Sequence, residues 1–135
     1  MTFMPWEDRY KLGVGPMDAQ HRGLVDAMNK VHDSVSAGAT GADLLRMVDS
    51  LAALTQRHFA SEEAYMQSIQ FADLEQHRTI HGLLMRQLTE HRERIAKTGK
   101  PDPKLFSFLK LWLQSHICGI DAKYARAKIP AANSI

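Results

Sequence analysis

The sequence predicts an all-α fold, an antiparallel up-down-up-down four-helix bundle with an ordered N-terminal arm. Three observations carry this reading. Apolar residues recur at three- and four-residue steps along four separate stretches, the spacing of one helix face. No alternation of apolar and polar residues bounded by turns is present, so no strand is predicted. The stretches are joined by short breaks, which sets consecutive helices antiparallel. The 135 residues suffice for one domain with its own core. No internal repeat or low-complexity segment interrupts them.

Residues 1–17 read as an irregular arm, because Pro5, Gly13, Gly15 and Pro16 punctuate it. Trp6 and Tyr10 lie within it and need somewhere to pack, so the arm is expected to be ordered. Asp18 reads as the N-cap of the first helix. His21, Leu24, Val25, Met28, Val31, His32 and Val35 form its inner stripe, and Gly38 and Gly41 bracket the break that follows. The second helix starts near Asp43, another N-cap candidate. It carries Leu44, Leu45, Val48, Leu51, Leu54, Thr55, His58, Phe59, Glu62, Tyr65 and Met66, and ends around Ser68–Phe71. The third helix carries Leu74, His77, Ile80, His81, Leu84, Met85, Leu88 and Ile95, and stops before Gly99-Lys100-Pro101. In the fourth, Asp102 caps and Pro103 sits in the first turn. Leu105, Phe106, Leu109, Trp112, Leu113, His116, Ile117 and Ile120 make its inner face, and Pro130 ends it. The expected organisation is a single domain over 1–135: arm 1–17, bundle 18–128, tail 129–135.

Composition excludes several functions. Seventeen Lys+Arg against fifteen Asp+Glu leave a formal charge of +2, too balanced for an electrostatic nucleic-acid binder. The single cysteine, Cys118, allows neither an intrachain disulfide nor an all-cysteine zinc site. Cys118 is two residues from His116, points away from it, and reads as structural. No secretory signal is visible, and no apolar stretch approaches the roughly 20 residues that span a bilayer, so no membrane insertion and a cytoplasmic location are expected.

The unusual feature is seven histidines. His58 and Glu62 stand four residues apart and share one face of the second helix, as do His77 and His81 on the third. His21 lies on the apolar stripe of the first helix, and His116 on that of the fourth, four residues after Trp112. Asp121 follows His116 by five residues. On an ideal helix that spacing leaves it about 140° off His116's face, so convergence requires the helix to end or loosen locally. A single histidine on an apolar face is ordinarily a core residue with a satisfied hydrogen bond. Five imidazoles and two carboxylates buried together are different: buried charge must be paired, and a metal pairs it. Seven protein ligands exceed the four of tetrahedral zinc and suit two octahedral ions about 3.5–4 Å apart. Imidazole with carboxylate fits iron, manganese or zinc. A carboxylate can span two ions with one oxygen on each, which makes Glu62 and Asp121 the natural bridges. Five histidines divide as three and two and leave one ion short of a ligand, where a small exogenous molecule would bind.

These residues resemble the hemerythrin family, in particular its single-domain bacterial members. The likeness runs from Trp6 to Tyr124. It includes Trp6, Tyr10, Gly13 and Asp18-Ala-Gln-His21, then His58-Phe-Ala-Ser-Glu62-Glu63 with Met66. It continues with His77-Arg-Thr-Ile-His81 and Trp112-Leu-Gln-Ser-His116-Ile, and closes on Asp121 and Tyr124. Myohemerythrin is itself a standard example of the up-down-up-down bundle, so this likeness and the fold reading are not independent. The resemblance implies two non-haem irons. His77, His81 and His116 would hold one and His21 and His58 the other, with Glu62, Asp121 and a solvent-derived oxo or hydroxo group as bridges. It further implies reversible dioxygen binding at the two-histidine iron, for carriage, storage or delivery to a recipient the sequence does not name.

Such a site needs a dry apolar wall. Leu24, Phe59, Trp112, Leu113 and Ile117 lie one to four residues from the ligands and are read as that wall, while also serving as bundle core. Tyr124, three residues past Asp121, is read either as near the site or as an ordinary aromatic. Glu63 could hydrogen-bond a ligand imidazole but, being next to Glu62, is read as facing elsewhere. His32 and His91 are read as bystanders, His91 on the solvated face of Glu90-His-Arg-Glu-Arg94. Most methionines read as core filler. The leading expectation is a binding protein and not an enzyme. The alternatives are dioxygen or nitric oxide sensing through a separate partner, or a di-iron oxidase or peroxidase. Ferritin-like oxidases use carboxylate-rich shells with Glu-x-x-His motifs, a motif missing among these ligands.

Overall fold

The computed structural model describes residues 3–7, 10, 15–102 and 104–116. Among them lie four helices and no strand: α1 (Gly15–Ser36), α2 (Gly41–Ser68), α3 (Leu74–Thr98) and α4 (Leu105–Trp112). Short connections join them into the expected bundle, with α2 packed against both α1 and α3.

The starts of α1 and α2 differ from the sequence expectation. α1 begins at Gly15, not at an Asp18 cap, so the arm is shorter than 1–17. Pro16, expected to break regular structure, is the second helical residue. In the first turn its missing N–H has no partner to lose. Asp18 then lies in the first turn, where its charge meets the positive end of the helix dipole. Asp43 has the same place in α2, whose N-cap is Thr40. The N-cap of α4 is Lys104 and not the expected Asp102, whose carboxylate instead accepts from the Lys104 N–H at 2.8 Å in the turn just before the helix. Gly13, Pro103, Ile120, Pro130 and the tail 129–135 lie outside the described residues.

The ends of α1, α2 and α3 follow from local chemistry. α2 closes in a Schellman turn, with Phe71 N–H donating to the Met66 carbonyl (2.9 Å) and Gln70 N–H to the Gln67 carbonyl (3.1 Å). Gln70 takes φ +55° to make that turn. α1 ends on Gly38 and α3 on Gly99, at φ +96° and +73°, values that glycine adopts without penalty. The Gly99 carbonyl accepts from the Gly41 N–H (2.8 Å), which ties the two loops at this end together.

The apolar interior is divided. The main core includes Met28, Leu44, Val48, Leu51, Leu88, Ile95, Leu105 and Leu109. A smaller cluster of Met17 and Met66, with Tyr65, Ile69, Phe71 and Leu74 against it, closes the α2–α3 end. On α2 and α3, His58, Glu62, His77 and His81 occupy the turns between these two clusters. The arm is held from outside: the Asn29 side chain accepts from the Met4 N–H (2.7 Å) and donates to the Met4 carbonyl (2.8 Å). Met4 and Tyr10 are buried, so the arm packs against the bundle at these described residues. No helix among the described residues is long and apolar enough to cross a membrane.

Candidate metal centre

All four helices deliver side chains to one layer. α1 contributes His21, α2 contributes His58 and Glu62, and α3 contributes His77 and His81. Beyond Trp112, the fourth helix widens into a π-type turn over residues 113–116 and presents His116. Such turns re-aim side chains and recur at functional sites. Each of these six residues is at most 3 % exposed.

Glu62 stands at the centre. Its Oε1 lies 3.2 Å from His81 Nε2 and 3.4 Å from His58 Nε2, and its Oε2 lies 3.6 Å from His21 Nε2. Two groups of ligand-type atoms result. Glu62, His77, His81 and His116 offer atoms within 4.8 Å of one another, and so do His21, His58 and Glu62. Glu62 belongs to both.

The outer nitrogens of three rings are engaged. His81 donates from Nδ1 to Glu63 Oε2 at 2.9 Å, and Arg78 donates to the other Glu63 oxygen at 3.3 Å. His58 donates from Nδ1 to Gln20 Oε1 at 2.6 Å. The Tyr10 carbonyl lies 3.4 Å from His21 Nδ1. These contacts leave Nε2 of each ring directed at Glu62, the orientation a metal ligand needs. Glu63 therefore does not face elsewhere, as its position beside Glu62 suggests in sequence. One residue is only about 100° of helix rotation, and His81 on α3 stands on that side.

Burial penalises the charge of Glu62 and pushes its pKa up. Hydrogen bonds from His21, His58 and His81, with the charge of His58, outweigh this and hold the carboxyl well below its usual range. Glu62 is thus a buried anion. His58 Nε2 is buried and lies 3.4 Å from that anion. A borderline cation fits this donor set of imidazoles converging on a buried carboxylate.

Aromatic and aliphatic side chains surround the layer. The Phe59 ring stacks on His81 (centroids 3.8 Å apart, 3° between planes) and also meets His58 and His116. Trp112 meets Phe59 edge-on at 5.9 Å. Leu24 and Leu113 are fully buried. Asp121, Ile117, Cys118 and Tyr124 lie outside the described residues.

His32 is half-buried away from the centre, stacked on Phe3 (4.6 Å) and edge-on to Phe106 (4.8 Å). His91 is a correction. It is buried, not solvated, and stacks on Phe108 of α4 at 5.3 Å.

A histidine-rich bundle with a shared buried carboxylate defines a metal-binding four-helix protein. Comparison with known proteins makes this specific. The sequence profile of the hemerythrin HHE cation binding domain matches residues 12–127. The chain is similar to a bacteriohemerythrin of Pseudomonas aeruginosa, with 31 % identity over 94 % of this chain and 82 % of that one. It is also similar to a myohemerythrin of Riftia pachyptila, at 31 % identity over 88 % of each chain. Its fold matches the crystal structure of a hemerythrin point mutant with a TM-score of 0.85 and 27 % identity, covering 94 % of this chain and 98 % of the other. The chain belongs to the hemerythrin family. Membership implies non-haem iron, and the His/Glu groups around Glu62 are suited to bind it.

Proposed function

We propose that the chain binds dioxygen reversibly at a non-haem di-iron centre, as an oxygen-binding protein and not an enzyme. The observation that carries this is Glu62, shared between two groups of ligand atoms. His77, His81 and His116 would hold one iron, and His21 and His58 the other. Glu62 would bridge them, with Asp121 and a solvent-derived oxo or hydroxo group as the further bridges. The division of ligands leaves the two-histidine side with the open position. When bound, the iron pair supplies the electrons and the vacant position that dioxygen requires.

The chain's own residues do the rest. Gln20, Glu63 and the Tyr10 carbonyl orient His58, His81 and His21. Phe59, Leu24, Trp112 and Leu113 would form the wall that keeps water and stray protons out, the role also expected of Ile117 from its sequence position. The single domain, with its bundle over 18–128, is supported by the family match over 12–127. An oxidase or peroxidase is not favoured, because the described ligand groups hold five imidazoles and one carboxylate. The relatives' names point the same way: bacteriohemerythrin and myohemerythrin.

Repeated deoxygenation under vacuum and re-exposure to air tests the proposal. The optical spectrum of the iron-loaded chain is expected to switch reversibly between two forms. Rapid irreversible oxidation, with no adduct released under vacuum, would contradict it.

A further inference from the structure

Among the buried histidines, His91 alone stands outside the metal layer. It lies on α3, and its ring stacks on Phe108 of α4 with centroids 5.3 Å apart. Its Nδ1 is buried with no hydrogen-bond partner. A neutral ring tolerates this by carrying its one N–H at Nε2 and leaving Nδ1 bare. A protonated ring carries N–H at both nitrogens, and the one at Nδ1 is then a charged donor with nothing to receive it. The face of Phe108 attracts a cation but cannot accept from the edge of a ring stacked on it. The surrounding charges do not supply the acceptor either. Glu90 and Arg94 flank His91 on α3, and Asp102 acts on it from the α3–α4 connection. Glu90 is exposed. Asp102 is already engaged: one oxygen accepts from the Lys104 N–H at 2.8 Å, the other pairs with Arg94 at 3.2 Å, and the Lys104 charge stands beside it. Burial, then the charge of Arg94, lower the His91 pKa, while Asp102 and Glu90 oppose this. The helix that His91 grips is the one that carries Trp112 and, just past it, His116.

We propose that His91 is an acid-sensitive latch on the fourth helix: neutral, it seats Phe108 and holds α4 on α3; protonated, it turns to water or to Asp102, unseats Phe108 and loosens the stretch that presents His116. The proton comes from solvent, and the N–H bond at the ring is the only bond made. Asp102 ties the latch to the start of α4, because it can receive the His91 N–H only by giving up the Lys104 N–H or Arg94. A loosened α4 draws His116 away from the group it forms with Glu62, His77 and His81. Mild acid then favours loss of metal, whereas at neutral pH the latch is closed and the centre is untouched by it. The link to the metal rests on the di-iron reading above; the grip on α4 does not.

The test compares the iron-loaded wild-type chain with H91L and H91Q, neither of which can take a proton at this position. H91L keeps the apolar contact and H91Q keeps a polar side chain, so a fold disturbed by one substitution leaves the other to be read. Hydrogen exchange followed by mass spectrometry reads α4 directly, with α1 and α2 as the internal reference. The ordinary histidine value is 6.5, so at about pH 5.5 a freed ring is protonated about ten times as often as it is neutral. Exchange of α4 in the wild type, corrected for the intrinsic effect of pH, is therefore expected to rise by up to about tenfold from about pH 7.5 to about pH 5.5, with α1 and α2 little changed. In both variants it is expected to stay flat. Iron loss to a competing chelator is expected to be equal in all three chains at about pH 7.5, and up to about tenfold slower in the variants at about pH 5.5. Wild-type α4 exchange that is the same at both pH values, or that rises equally in H91L and H91Q, overturns the latch. Iron loss in acid that is as fast in the variants as in the wild type overturns its link to His116. A wild-type chain that binds fewer than two irons overturns the di-iron reading, and the exchange arm still decides the latch.

Discussion

Two buried histidines on α3, His81 and His91, make an instructive pair. They stand ten residues apart, about 15 Å along the axis. Each packs its ring against a phenylalanine of a neighbouring helix, His81 on Phe59 of α2 and His91 on Phe108 of α4. Their remaining contacts differ. Nδ1 of His81 is held by a carboxylate and its Nε2 faces Glu62. Nδ1 of His91 is buried with no hydrogen-bond partner, and His91 belongs to neither group of ligand atoms. Burial and an aromatic neighbour do not make a ligand. Convergence from other helices and an oriented outer nitrogen are what mark a candidate ligand.

The strongest way to break the comparison is substitution at each site. His81→Ala is expected to reduce bound iron from two per chain to one or none, and to lower the melting temperature of the iron-loaded chain, because metal affinity is part of folding free energy. His77→Ala is expected to do the same. His91→Leu is expected to keep both irons and the optical spectrum. Metal analysis and thermal melts read all three. A His91→Leu chain that loses iron would erase the distinction.

Acid separates the two regions next. Glu62 titrates below its ordinary value in the folded, iron-free chain. Its stabilisation is therefore present above the unfolded carboxyl value of about 4.5 and is lost as pH falls through the folded one. Burial, with the charge of Arg94, lowers the pKa of His91, while Asp102 and Glu90 oppose this. The unfolded chain takes the proton first, so the His91 contribution is lost as pH falls below its ordinary 6.5. Urea unfolding of the iron-free chain should accordingly show His91→Leu flattening the fall below about pH 6.5, and Glu62→Gln changing the profile only at lower pH. Identical profiles for wild type and His91→Leu would remove His91 from the account.

The smallest expected effect is at the cap near the metal layer. Gln70 holds φ +55° where glycine is unstrained, so Gln70→Gly should stabilise by about 0.5–1 kcal/mol in the same urea assay. Destabilisation would mean that the Gln70 side chain has a role that the turn geometry does not require.

Much of this is legible in the sequence, for a physical reason: helix period and ligand spacing are both local. Spacing of i, i+4 alone places His58–Glu62 and His77–His81 on shared faces, and the described candidate ligands from all four helices do meet. The errors have equally definite causes. Pro16 has the composition of a breaker, although the first helical turn tolerates it. Charged residues flank His91 and point it to solvent, yet it continues the inner stripe of Leu84, Leu88 and Ile95 at steps of four, three and four. Glu63, Gln20 and the Tyr10 carbonyl act on rings carried by other segments, or 11 residues away in the case of Tyr10 and His21. No spacing rule within one helix exposes such partners. Glu63 carries one clue, a carboxylate beside a ligand, and that same adjacency argues in sequence for the opposite face.

The central claim is that Glu62 is shared between two irons. Anaerobic iron titration of the iron-free chain, with metal counted per chain and magnetic coupling read by Mössbauer spectroscopy after oxidation, tests it most directly. Two irons per chain, coupled to each other, is the predicted result. One iron per chain, or two that are magnetically independent, would contradict it.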